Sequence, residues 1–112
     1  MYNLKYDDIF AEEITDAFQP YDKEIEVKVL VDLANEKFLY EKYKIEPNTR
    51  YETIYILVTI DKKYKNITFL ETEMLLENGD TKTLFSNYNF EEKELIKKVA
   101  LQKMREEMFK NF

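Results

Sequence analysis

Along Glu24-Ile25-Glu26-Val27-Lys28-Val29-Leu30-Val31-Asp32-Leu33, the residues Ile25, Val27, Val29, Val31 and Leu33 fall on one side and Glu24, Glu26, Lys28 and Asp32 on the other. Side chains of a strand alternate between faces. This period of two therefore predicts a strand with one face buried and one in water, as an antiparallel sheet requires. Tyr51 to Asp61 repeats the pattern, with Ile54, Ile56, Val58 and Ile60 inward and Tyr55, Leu57 and Thr59 opposite. Being apolar on both faces, this second run is expected to be the central strand.

Working outward, Ala34-Asn35-Glu36 reads as a turn and Lys37 to Glu46 as the returning strand, although Phe38, Leu39, Tyr40, Tyr43 and Ile45 also suit a helical stripe. Pro47-Asn48-Thr49 is a turn. Lys62-Lys63-Tyr64-Lys65-Asn66 closes a hairpin into a strand from Ile67 to Glu77, and Asn78-Gly79 has the composition of a two-residue type I′ turn leading to a short strand, Thr81 to Phe85. In that register Glu73 faces Leu84 and Thr72 faces Phe85, so the apolar sets do not align and a bulge or an edge strand is expected.

Helices are expected at both ends. Ile9, Phe10, Ile14, Ala17 and Phe18 recur at helical spacing over Asp8 to Phe18, with Asp7 or Asp8 as cap and Gln19-Pro20 as stop. The last helix runs from Phe90 to about Phe109. Asn89 caps it, Glu92 completes a capping-box pattern, and Leu95, Ile96, Val99, Ala100 and Met104 form its apolar face. The expected fold is α+β: an antiparallel four- to five-stranded meander sheet with an N-terminal and a long C-terminal helix packed on one face. A length of 112 residues, 45% of them hydrophobic, suits a single domain spanning 1–112.

The residue inventory excludes several chemistries. Without histidine or cysteine, and with Ser86 as its only serine, the chain cannot assemble a Ser-His triad, an imidazole base or a thiolate zinc site. Its one glycine rules out the usual phosphate-cradling loops. The absence of cysteine suits a reducing compartment, and Met1 to Asp8 has neither a basic nor an apolar signal region, so a cytoplasmic, non-enzymatic protein is expected, with no cofactor. No apolar run approaches a membrane span. The net charge is −6, with Arg50 and Arg105 as the only arginines, which disfavours direct binding of duplex nucleic acid.

Period-two geometry gathers Glu24, Glu26, Asp32, Glu71 and Glu73 on the face turned away from the helices, with Tyr55 and Phe69 among them. Such a face suits the basic surface of another protein, including one that ordinarily holds nucleic acid, and it also suits an ordinary solvated exterior. Glu24, Glu26, Tyr55, Phe69, Glu71 and Glu73 are the candidate partner-binding residues. Two other readings stand beside this one. The sheet edge or last helix could build a homo-oligomer, and Glu71, Glu73 and Asp61 could hold a divalent metal ion or act as an acid and base pair. Lys62, Lys63 and Lys65 around Tyr64 suit a solvated hairpin tip or a phosphate-contacting loop. In size and composition the chain resembles the small inhibitors and accessory proteins of phages and mobile elements, anti-CRISPR proteins among them. No motif carries that likeness, so it assigns no residue a role.

Overall fold

The computed structural model describes residues 2–14 and 23–110. A 3₁₀ turn (Tyr6–Asp8) is followed by β1 (Ile9–Ile14), β2 (Glu24–Val31), α1 (Glu36–Tyr43), β3 (Tyr51–Asp61), β4 (Ile67–Leu76), β5 (Thr81–Thr83) and α2 (Phe90–Lys110). The strands form one antiparallel meander in the order β1-β2-β3-β4-β5, with the doubly apolar β3 at its centre. The α+β class and the meander are as expected.

The N-terminal segment departs from its expected helix. Residues 9–14 form strand β1, and 15–18 lie outside the described residues. Ile9 pairs with Val31 and Ile14 with Val27, with a register shift between Ala11 and Glu13. This bulge brings Ile9, Ala11 and Ile14 to the core, a spacing that resembles a helical stripe in sequence. Pairing also covers what would be a long apolar edge on β2, a tertiary gain that local helix propensity does not match.

The second helix is instead α1, which starts at Glu36 and takes up most of the stretch 37–46 expected as a returning strand, on the helical stripe that those residues also carry. Asn35 Oδ1 accepts from Lys37 N at 2.9 Å to start it. Lys44, in the left-handed region at φ 59°, ends it by donating its N–H to Tyr40 O. Helical geometry turns Leu39, Lys42 and Tyr43 inward, and β2 pairs directly with β3 across this insertion.

At the β4–β5 hairpin the expected two-residue turn is a three-residue loop. Gly79 N donates to Leu76 O at 3.0 Å, and Gly79 takes φ 92°, a conformation that favours a residue without Cβ. The extra residue shifts the register, so Glu73 faces Thr83, and Leu84 N donates to Thr72 O. This resolves the mismatch that called for a bulge, and Leu84 is buried.

Ile25, Val27, Val29 and Val31 of β2 face Ile60, Val58, Ile56 and Ile54 of β3 across the inner face. Ile96, Val99, Ala100 and Met104 of α2 complete this core. Each fully buried aliphatic side chain contributes about 1.5–3 kcal/mol relative to exposure. The inner face also holds two polar networks. Lys42 Nζ meets Glu92 Oε2 at 2.5 Å with both side chains almost wholly buried, and Lys42 Nζ also donates to Asn87 O at 3.3 Å. Glu92 Oε2 accepts from Leu4 N at 2.8 Å, while Glu92 Oε1 accepts from Asn89 N at 3.0 Å in a complete capping box with Asn89 Oδ1 and Glu92 N. Beside them the Tyr88 hydroxyl lies 2.7 Å from Thr72 Oγ1 on β4 and donates to the Tyr43 hydroxyl at 3.0 Å. These contacts place α1 on the same side of the sheet as α2.

Replacing Lys42 by Met strands the Glu92 carboxylate and is expected to cost about 3–5 kcal/mol in chemical denaturation, with Lys42→Met/Glu92→Gln recovering part of that loss. The tyrosines set an alkaline limit. Burial raises Tyr43 far above the ordinary tyrosine value and pushes Tyr88 up to about 12. The unfolded chain ionises its tyrosines near pH ~10 while the folded chain keeps these protons, so stability is full below that pH and falls as pH rises beyond it. Tyr43→Phe should make this alkaline loss shallower while changing stability at neutral pH by about 1 kcal/mol. Denaturation midpoints measured between neutral and strongly alkaline pH test both statements.

Candidate functional site: the open face of the sheet

Opposite partners in an antiparallel pair share a face. The register therefore fixes what lies opposite the helices. One row across the sheet reads Phe10, Leu30, Tyr55, Glu73 and Thr83, and the next reads Lys28, Leu57 and Glu71. Beyond them Glu26, Thr59 and Phe69 align, and then Glu24 and Asp61. All six candidate partner-binding residues stand on this one surface, which no described helix covers.

The six differ in what they can offer a partner. Tyr55 is only 6% exposed. Its hydroxyl donates to Glu73 Oε2 at 2.7 Å, and Lys28 Nζ lies 4.4 Å from its ring centroid. Burial, then the Glu73 carboxylate, pushes the Tyr55 hydroxyl up to about 12. Tyr55 is thus a platform that joins β2, β3 and β4, with Lys28 above it and Glu73 at its tip. Phe69, by contrast, is 49% exposed, and Glu24 is exposed at the end of β2. Neither the Glu24 nor the Glu71 side chain makes a hydrogen bond or ion pair among the described residues.

Asp61 plays a local role. Its Oδ1 accepts from Lys63 N at 2.7 Å and Tyr64 N at 2.8 Å, which closes the β3–β4 turn. Lys63 Nζ lies over the Tyr64 ring at 5.2 Å in that turn. Among the described residues no group of three or more acidic side chains is placed to hold a metal ion. No described helix is long and apolar enough to cross a membrane.

Alternation alone places Leu30 and Leu57 on this face, yet they drop out of a reading that follows charge. So does Phe10, 49% exposed, because its segment has a helical pattern. With these residues included, Leu30, Tyr55 and Leu57 form an apolar centre, Phe10 and Phe69 flank it, Glu71 and Glu73 lie along its β4 side, and Glu26, Glu24 and Asp61 lie toward one end. A less charged middle within a polar rim is the anatomy of protein interfaces. The charge balance is one-sided, since Glu24, Glu26, Asp61, Glu71 and Glu73 share the face with Lys28 alone among its strand residues.

No protein-family model, curated protein or solved structure matches this chain.

Two kinds of substitution on this face should separate in thermal and chemical denaturation. Glu24→Lys/Glu71→Lys removes no internal bond and is expected to change stability by about 0.5 kcal/mol or less. Tyr55→Ala opens the platform and should cost roughly 3–5 kcal/mol, the range for a buried aromatic cut to Ala.

Proposed function

We propose that this protein is a non-enzymatic binding module that lays its acidic sheet face on the basic surface of another protein, one that ordinarily holds nucleic acid, and inhibits it by occupying that surface. The observation that carries the reading is the collection of Glu24, Glu26, Glu71 and Glu73 on one face with a half-exposed Phe69. The net charge of −6 adds long-range attraction for a basic partner and repels nucleic acid itself. The likeness in size and composition to phage and mobile-element inhibitors favours inhibition over assembly.

Phe69 and the leucines would supply the desolvated centre of the contact, with the glutamates steering approach and fixing register. Tyr55 would act from beneath, by holding Glu73 and Lys28 in place.

Immobilised protein should retain a basic polypeptide from lysate of its native host, and duplex DNA should displace that polypeptide. Retention should fall by roughly tenfold or more with Glu24→Lys/Glu71→Lys/Phe69→Ala, a loss of about 1.4 kcal/mol or more. Equal retention by that variant, folded by circular dichroism, would dismiss the face. A chain that captures only copies of itself and elutes as a dimer would replace inhibition with self-assembly.

A further inference from the structure

Beside Phe10, Leu30 and Thr53 the open face runs into a cleft of about 410 Å³ at the end of the sheet. Val31, Leu33, Leu39, Ile45 and Ile54 are among its lining residues and are buried, so aliphatic side chains back a lining whose open surface is mostly polar. Phe10 and Tyr51 add aromatic surface. Asp32, Glu36, Glu46 and Glu52 also line it, all of them exposed, and no lysine or arginine lines it among the described residues. Asp32 thus reaches the cleft from just beyond β2, and its N–H donates to Asp8 O at 2.7 Å.

The carboxylates do not converge on a point, since no group of three or more acidic side chains is placed to hold a metal ion among the described residues. Spread negative charge with aliphatic and aromatic side chains beside it fits an extended organic cation instead, whose methylene stem packs against those side chains while its head stays among the carboxylates. Aromatic walls favour a planar guanidinium over a compact, strongly hydrated ammonium. The field of these carboxylates is felt inside: burial raises the Tyr51 hydroxyl above its ordinary value, and Asp32 and Glu36 raise it further.

We infer that the cleft is the anchor pocket for an arginine side chain of the partner, which enters across Phe10 and Tyr51 and sets its guanidinium among Asp32, Glu36, Glu46 and Glu52. The inference rests on the sheet-face reading for the identity of the partner, and the chemistry of the pocket can be tested without it.

The probe is N-acetyl-arginine amide, with its uncharged isostere N-acetyl-citrulline amide as control, each titrated into ¹⁵N-labelled protein and followed by NMR. The arginine compound should give saturable shifts at the amides of Asp32, Glu36, Tyr51 and Thr53 that salt weakens, and the citrulline compound should not. Asp32→Asn/Glu36→Gln should weaken binding by roughly tenfold, while Glu77→Gln/Glu91→Gln, which removes the same charge outside both the cleft and the sheet face, should leave it unchanged. Shifts confined to the sheet face, no saturable shift, or equal binding of citrulline would overturn the pocket and leave the sheet-face reading standing. Conversely, specific arginine binding in the cleft, together with undiminished partner capture by the sheet-face variant, would keep the pocket and remove the face.

Discussion

The carboxylate of Glu92 joins three parts of the chain that are far apart in sequence. One oxygen accepts from Asn89 N and starts α2, and the other accepts from Leu4 N and meets Lys42 of α1. An ionised carboxylate is costly to bury unless its lone pairs are satisfied, and here donors from the N-terminal segment, α1 and the α2 cap satisfy them together. Losing any one donor leaves charge in a dry site. The position of α1 is therefore coupled to that of α2, and both are held on the inner side of the sheet, where Tyr88 reaches Thr72 and Tyr43.

With both described helices committed to one side, the other side of the sheet must be kept in order from within. Tyr55 does this on the central strand. It lies between Leu30 and Glu73, donates to Glu73 and carries Lys28 over its ring. Cross-strand contacts of this kind stabilise a sheet by a few tenths to ~1 kcal/mol each, and they let β3 remain apolar on a face that no helix covers. A stiff, shallow platform results, which suits contact with a preformed surface, since little side-chain freedom remains to be lost on binding.

Hydropathy alternation made β2 legible, because a period of two has one physical meaning when it persists for eight residues or more, whereas β3 showed as a long run apolar on both faces and β4 was readable only from the turns that bound it. The capping box at Asn89 and Glu92 was equally readable, being a local pattern with a local cause. The N-terminal strand was not, since the bulge between Ala11 and Glu13 disguises alternation as a helical stripe and the pairing partner is distant in sequence. Residues 37–46 carried both patterns, and the decision fell to Asn35, Lys44 and the buried Lys42–Glu92 pair, which no local rule anticipates. For the surface, alternation sufficed to gather the glutamates, but only coordinates show that Tyr55 is covered and that Asp61 caps a turn.

That last distinction bears on how the surface should be read. Several charged and aromatic groups have a structural explanation: Asp61 closes the β3–β4 turn, Glu73 anchors Tyr55, and Glu92 holds the helices. Glu24 and Glu71 have none among the described residues, and Phe69 leaves half its surface in water. An exposed aromatic beside carboxylates that lack an internal partner gains the fold nothing, and Glu24 directly opposite Asp61 is mildly unfavourable as a like-charge pair. Surface charge needed only for solubility could be spread over both signs and all faces. Concentrating one sign around Phe69, and again around the cleft beside Phe10, is what the proposed contact with a positively charged surface would use.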